Sequence, residues 1–256
     1  MGIITLLTDF GAKDPYAGIM KGVILGIHPD AAIVDISHEV EPQDIQEAAF
    51  ILQDYWHYFP AGTVHLVVVD PTVGSARRPI LVQTEGHFFV GPDNGVFSFI
   101  VNAASRIRVL ENREYMLPRI SSTFHGRDIF SPAAAWISKG VDPEVLGGEI
   151  TDPIMLHDLV PTITGKEMAG TIVRFDHFGN AITNINAAML RSFAENSSFI
   201  VTVGDSVFTS LSASYHEGKY TCLVGSSGYI EFGVFGGSFR KEKSVNKGDR
   251  VTIRIP

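Results

Sequence analysis

Aspartates at the ends of apolar runs are the first residues whose placement suggests chemistry. Asp9 follows Ile3 to Leu7 in Thr8-Asp9-Phe10-Gly11. Asp70 follows Val64 to Val69 and opens Asp70-Pro71-Thr72-Val73-Gly74-Ser75-Ala76-Arg77-Arg78. Asp35 and His38 lie in or just after a third apolar run, Ala32 to Ile36. One aspartate after a strand reads as a helix cap. Two, each followed by a glycine-containing loop, favour a site, because ligands of open α/β sheets bind beyond the carboxyl ends of the strands. Phe124-His125-Gly126-Arg127-Asp128 adds an imidazole with little steric cover at a predicted helix start. Other matches fail on context. Asp9-Phe10-Gly11 coincides with a protein-kinase tripeptide, but no glycine-rich nucleotide loop or partner lysine accompanies it. Gly225-Ser226-Ser227-Gly228 and Phe235-Gly236-Gly237-Ser238 are neither a P-loop nor a dinucleotide fingerprint and read as turns. The lone cysteine, Cys222, lies in a strand-like run and reads as a small buried hydrophobe.

The elements that must position these residues follow from periodicity. Ile3 to Leu7, Ala32 to Ile36 and Val64 to Val69 are continuous apolar runs, as in strands buried on both faces. Between them, Tyr16 to Ile27 and Gln43 to Phe59 carry helical spacing, the second with Pro42 at its start and Pro60 at its end. This βαβαβ order predicts a mainly parallel sheet flanked by helices. A hairpin follows, with Pro79 to Gln83 and His87 to Val90 around Thr84-Glu85-Gly86, then a strand at Ile107 to Leu110 and a helix over Asp128 to Ser138. From about Glu167 the pattern changes to short β-rich runs with one short helix at Ala187 to Phe193, the signature of a small β-barrel or sandwich. The expected class is therefore α/β: an N-terminal α/β domain over residues 1–160 and a smaller C-terminal β-barrel domain over 166–256, joined by the proline-containing stretch Thr151 to Gly165.

Composition narrows the function classes. With 256 residues, 45% of them hydrophobic and 19% charged, the chain has enough apolar material for a sizeable core. A formal net charge of -8 argues against a nucleic-acid backbone as partner, since phosphate binding needs clustered Lys and Arg. A single cysteine excludes an intramolecular disulfide and a zinc-type Cys/His cluster. No stretch approaches membrane-spanning length, and the apolar run before Asp9 is too short for a signal peptide, so a cytoplasmic protein is expected.

Seven segments taken in order resemble a known family. They are Thr8-Asp9-Phe10-Gly11, Asp35-Ile36-Ser37-His38, Asp70-Pro71 through Arg77-Arg78, Gly91-Pro92-Asp93-Asn94-Gly95, Thr123-Phe124-His125-Gly126-Arg127-Asp128, Asp176-His177-Phe178-Gly179-Asn180 with Thr183-Asn184, and Ser226-Ser227-Gly228-Tyr229. The pattern is similar to the S-adenosylmethionine hydroxide adenosyltransferases, relatives of the fluorinases and chlorinases, and it covers essentially the whole chain. The resemblance implies hydrolysis of S-adenosyl-L-methionine to adenosine and L-methionine with no metal or organic cofactor. It also implies a homotrimer whose sites lie between the N-domain of one subunit and the C-domain of the next.

The resemblance further implies residue roles. Asp9 binds the ribose diol, which suits a carboxylate's two acceptor oxygens. Asp176 takes the methionine ammonium, and Ser226, beside Ser227, takes the carboxylate. Asn180 meets an adenine edge, and Phe178 and Tyr215 pack on the adenine faces. Asp70, Arg77 and His125 match the family's hydrolytic triad. The sulfonium leaves readily, so the difficulty is the nucleophile: bulk water ionises at about 15.7, while an ordinary aspartate ionises at about 3.9. Arg77 would stabilise hydroxide character, and either Asp70 or His125 would accept the proton. The halogenating relatives carry tyrosine at the position of Asp70 and serine at that of Gly126, so both identities favour water over halide. Gly225 and the Val234 to Gly237 segment depart from the family pattern. The competing readings are a halide transferase, a non-catalytic nucleoside-binding protein, and a metal-dependent phosphohydrolase built on Asp9, Asp35, His38 and Asp70.

Overall fold

Strand β1 (Ile3–Thr8) is apolar throughout because both of its faces are covered. Ile4 and Leu6 enter one core layer with Met20, Ile24 and Phe130, whereas Leu7 enters another with Leu52, Val67 and Phe89. That alternation is the two-residue period of a strand between two helical layers. The computed structural model describes residues 2–195 and 197–256. The chain divides into two units, Met1–Leu156 and His157–Pro256.

In the N-terminal unit, β1 is followed by α1 (Tyr16–Ile27), β2 (Ala32–Ser37), α2 (Ile45–Tyr55) and β3 (Val64–Val68). Asp44 caps α2 by accepting the Glu47 N–H, so the helix starts two residues later than the sequence pattern suggests. Next come β4 (Pro79–Thr84), β5 (His87–Pro92), β6 (Arg106–Val109), a π-helical turn at Gly126–Phe130, α3 (Ser131–Ser138) and β7 (Glu149–Ile150). The sheet order is β2-β1-β3-β5-β4-β6-β7. The pairs β1–β2, β1–β3 and β3–β5 are parallel, whereas β4–β5, β4–β6 and β6–β7 are antiparallel. The parallel strands β1, β2 and β3 carry Asp9, Asp35 and Asp70 in or just beyond them. The direction reverses at the tight β4–β5 hairpin, whose loop residues Glu85 and Gly86 both have positive φ, as a primed turn requires.

The C-terminal unit holds β8 (Thr162–Thr164), β9 (Glu167–Phe175), β10 (Ala181–Asn186), α4 (Ala187–Ala194), β11 (Ile200–Val203), β12 (Ser206–Phe208), β13 (Tyr220–Val224), β14 (Tyr229–Val234), α5 (Phe239–Lys243) and β15 (Arg250–Arg254). Seven strands run in the order β12-β11-β15-β9-β10-β14-β13, with β8 paired to β9. Ser212, beyond β12, bridges to Leu223 of β13 and nearly closes the sheet into a barrel. Its interior is packed by Met168, Ile172, Val201, Phe232 and Ile253. Cys222 belongs to this core, and burial pushes its thiol up to about 12, so it stays protonated and inert as the strand reading expected. No helix among the described residues is long and apolar enough to cross a membrane.

Candidate active site

The strand order places Asp9 and Asp70 together. β1 feeds β2 on one side and β3 lies on the other, so the chain switches direction between β1 and β3. Such a switch point opens a crevice beyond the carboxyl ends of the strands. Thr8 is the register partner of Val68, so the residues that follow, Asp9 and Asp70, leave adjacent strands at the same edge. Both line a cavity of 370 Å³.

Asp9 is held from below. Its Oδ2 accepts the Gln43 N–H at 2.8 Å, and Gln43 adopts φ +69° to present it. Burial raises the Asp9 pKa, a nearby Asp70 charge adds to the rise, and the backbone hydrogen bonds oppose it. One occupied acceptor leaves the carboxylate room for two further donors. The adjoining loop is tied by His38, whose Nδ1 lies 2.8 Å from Thr8 Oγ1 and whose carbonyl accepts the Gly11 N–H at 2.7 Å. His38 Nε2 lies 3.1 Å from Asp35, which pairs with Lys21. Asp35 and His38 therefore brace the Asp9 loop and do not line the cavity.

Asp70, Arg77 and His125 form one hydrogen-bonded group. Arg77 donates to Asp70 Oδ2 through Nε at 2.8 Å and also through Nη2. The same Nη2 donates to His125 Nδ1 at 2.8 Å. A guanidinium has no acceptor, so His125 Nδ1 must be the unprotonated nitrogen, and a neutral His125 carries its proton on Nε2. Burial lowers the His125 pKa, and the Arg77 charge lowers it further. The Arg77 and Asp70 side chains are 5% and 4% exposed. The guanidinium lies over the Phe130 ring at 5.1 Å, and its Nη1 is buried without a partner among the described residues. Among the described residues, Asp70 Oδ1 meets only Thr72 Oγ1, which donates to it at 3.4 Å. Asp70 and His125 face the cavity, while Arg77 stands behind them.

Two loops bring this group together. Gly74, at φ +78°, approaches Ser122 so closely that a Cβ there would strike the Ser122 carbonyl oxygen. Asn94 donates to the Val69 carbonyl at 2.8 Å and fixes the end of the β3 run beside Asp70. Arg78 turns away from the cavity to clamp Asp93 and Asp152. On the other loop, Asp128 takes both Arg127 and the Ser121 N–H. It anchors the loop ahead of the helix. Pro132 explains the π-turn. It has no N–H for the Asp128 carbonyl, which accepts from Leu117 at 3.0 Å instead, and Ser131 reaches back to the Gly126 carbonyl. The rings of Phe10, Tyr16 and Phe124 meet one another at 5.3–5.8 Å and form an aromatic wall of the cavity. A Cβ on Gly126 would sit 3.2 Å from Met20 Sδ and 3.3 Å from the Phe124 ring, so the position is crowded for any larger residue.

In the C-terminal unit, Asp176, Asn180 and Tyr215 come together around a residue the sequence reading passed over, Glu231. Asp176 accepts from the Asn180 N–H and Nδ2, both at 2.8 Å. Asn180 Nδ2 also reaches the Tyr215 hydroxyl at 3.5 Å, and that hydroxyl donates to Glu231 Oε1. Glu231 is 5% exposed, and burial, with the charge of Asp176, pushes its carboxyl up to about 7 against the opposing charge of Arg174. Ser226 and Ser227 occupy the β13–β14 turn, closed by the Gly228 N–H on the Gly225 carbonyl at 2.9 Å. Phe178 stands apart at 73% exposure, with His177 as its ring neighbour. Gln43, the aromatic wall and Glu231 carried no sequence signal. Gln43 acts through its backbone, and the others read as ordinary core or strand positions. Among the described residues, no group of three or more His, Cys, Asp or Glu is placed to hold a metal ion.

Comparison with known proteins gives matches over both units. Residues 4–147 match the SAM hydroxide adenosyltransferase N-terminal domain, and residues 170–252 match the corresponding C-terminal domain. A (R)-S-adenosyl-L-methionine hydrolase of Thermus thermophilus is 35% identical, with 98% of each chain covered. One from Methanocaldococcus jannaschii is also 35% identical, over 99% of this chain and 96% of its own. A fluorinase of an Actinoplanes species is more distant, at 26% identity over 72% of each chain. Among solved structures, an uncharacterized conserved protein from Thermotoga maritima superposes with a TM-score of 0.90 at 34% identity, covering 98% of this chain and 99% of its own.

Proposed function

This chain belongs to the SAM hydroxide adenosyltransferase family, and on that premise we propose that it hydrolyses S-adenosyl-L-methionine to adenosine and L-methionine. The names of its relatives specify the (R) sulfonium, so the (R) epimer is the substrate we expect it to prefer. The observation that carries the reading is the Asp70–Arg77–His125 group at the switch-point cavity that also holds Asp9.

In this reading, a water oxygen bonds to ribose C5′ as the C5′–S bond breaks. The bonding pair goes to sulfur, which leaves as the neutral thioether of methionine. The sulfonium needs no acid, metal or organic cofactor to depart, so catalysis falls on the water. His125 offers it an Nε2–H donor, because Nδ1 is engaged by Arg77. Asp70 Oδ1 is the acceptor left for its proton, because Oδ2 carries both Arg77 bonds. Arg77 holds the two in register and offsets the negative charge that develops between them. Asp9 receives the ribose diol. The crowding at Gly126 disfavours the serine of the halogenating relatives.

Asp176, Asn180, Tyr215, Phe178, Ser226 and Ser227 would bind the adenine and methionine ends. Both hydrogens of the Asn180 amide are spent on Asp176 and Tyr215, so its carbonyl is what remains for an adenine amine. The family resemblance implies a homotrimer with sites shared between neighbouring subunits, and the proposed ligand residues, which come from both units, are compatible with it. A cytoplasmic location completes the reading. Incubation with each sulfonium epimer, followed by chromatography, tests it. Adenosine and methionine are expected, faster from the (R) epimer and unaffected by chelator. Release of 5′-methylthioadenosine or S-adenosylhomocysteine would refute it.

A further inference from the structure

Glu231 has a placement that strand periodicity does not explain. It lies on β14 between Ile230 and Phe232, which point into the barrel core, so it belongs to the opposite face of the sheet. It is nevertheless buried, and the hydroxyl of Tyr215, from the short helical turn Tyr215–Glu217, donates to its Oε1. Glycines make room for both partners. A Cβ at Gly233 would fall 2.7 Å from Tyr215 Cε1 and 2.9 Å from Asn180 Oδ1, and a Cβ at Gly225 would collide with Glu231 Oε2. One edge of the Tyr215 ring is thus pressed on bare backbone, while its tip is pinned by a carboxyl.

We propose that Glu231 is a positioning residue: by binding the Tyr215 hydroxyl, it fixes the tyrosine ring and, through Asn180, the amide that together receive the adenine of the substrate. The inference rests on the functional reading above and adds to it the residue that orders the base-binding surface. A ring fixed at its tip and held along one edge by Gly233 loses little further freedom on binding, so base stacking is gained at lower entropic cost. The groups facing Glu231 are Asp176, Arg174 and Tyr215. A hydrogen bond to an ionised carboxylate is stronger than one to a neutral acid. Because the carboxyl ionises near neutrality, the tyrosine should be held more firmly as pH rises through about 7.

The test is equilibrium adenosine binding by the full-length protein, with thermal melting as a check on folding. Glu231→Leu and Tyr215→Phe should each weaken binding about tenfold, and the double variant should lose little more than the worse single one. Glu231→Gln, which can still accept from the hydroxyl, should bind nearly as well as the parent at pH 6. It should lack the gain that the parent shows between pH 6 and pH 8. KM should follow these losses, while kcat changes less. Tyr215→Phe keeps the ring and tests the same bond if Glu231→Leu fails to fold. Parent-like binding by both single variants, or fully additive losses in the double, would overturn the role of Glu231 and leave the functional reading standing. A parent that bound no adenosine would remove both.

Discussion

At the residue scale, the decisive atom is His125 Nδ1. Because it accepts from Arg77, the imidazole is a donor toward the cavity, and in the proposed mechanism the proton acceptor is Asp70 Oδ1. That assignment has a pH consequence. Burial and the Arg77 charge hold the His125 pKa below its ordinary value, so the neutral form persists as pH falls through about 6.5. The imidazolium forms only at lower pH, where its Nδ1–H can no longer accept from Arg77. The acid limb of kcat should therefore lie below pH 6.5, and a midpoint at or above that value would contradict the assignment. Asp70→Asn should lower kcat by about 10²–10⁴ with little change in adenosine affinity. These roles were only partly legible in the sequence. Asp9 and Asp70 stood out because each ends an apolar run. Arg77 and His125 gained weight only as parts of an ordered family pattern. Glu231 could not be seen because the tyrosine that buries it is sixteen residues away in the chain.

At the element scale, two loops and a π-turn hold the reacting groups in register. The 70–78 loop rests on the 121–125 loop at Gly74, where a side chain has no space and the backbone has positive φ. Gly74→Ala should destabilise the fold by about 1–3 kcal/mol and lower kcat by moving Arg77 away from His125. Chemical denaturation together with kcat measures this; unchanged kcat would show that the loop contact does not align the group. The βαβαβ order of the first half was readable, because buried parallel strands leave continuous apolar runs between helical spacings. The π-turn was not readable as such. The sequence pattern starts a helix at Asp128, but Pro132 withholds the N–H that an α-helical start would need, and the chain relaxes into a wider turn at Gly126–Phe130. Beyond β3, alternation reveals strands but not their direction, so the antiparallel half of the sheet emerges only from the β4–β5 hairpin.

At the scale of the whole molecule, the proposed ligand residues come from both units, which the trimer reading explains by sharing each site between subunits. Co-expression of an Asp70→Asn chain with an Asp176→Ala chain tests it. Each chain alone should be nearly inactive. In a cyclic trimer that contains both chains, one site of the three would pair two parental halves, about a quarter of all sites in a random equal mixture, and activity should return to that extent. No recovery in demonstrably mixed oligomers would count against shared sites. The central claim is that water is the nucleophile at C5′. Incubating S-adenosyl-L-methionine with the protein in oxygen-18 water, followed by mass spectrometry of the products, tests it most directly. The account predicts one labelled oxygen at the 5′-hydroxyl of adenosine and unlabelled methionine. Adenosine without label, or label carried into methionine, would contradict it.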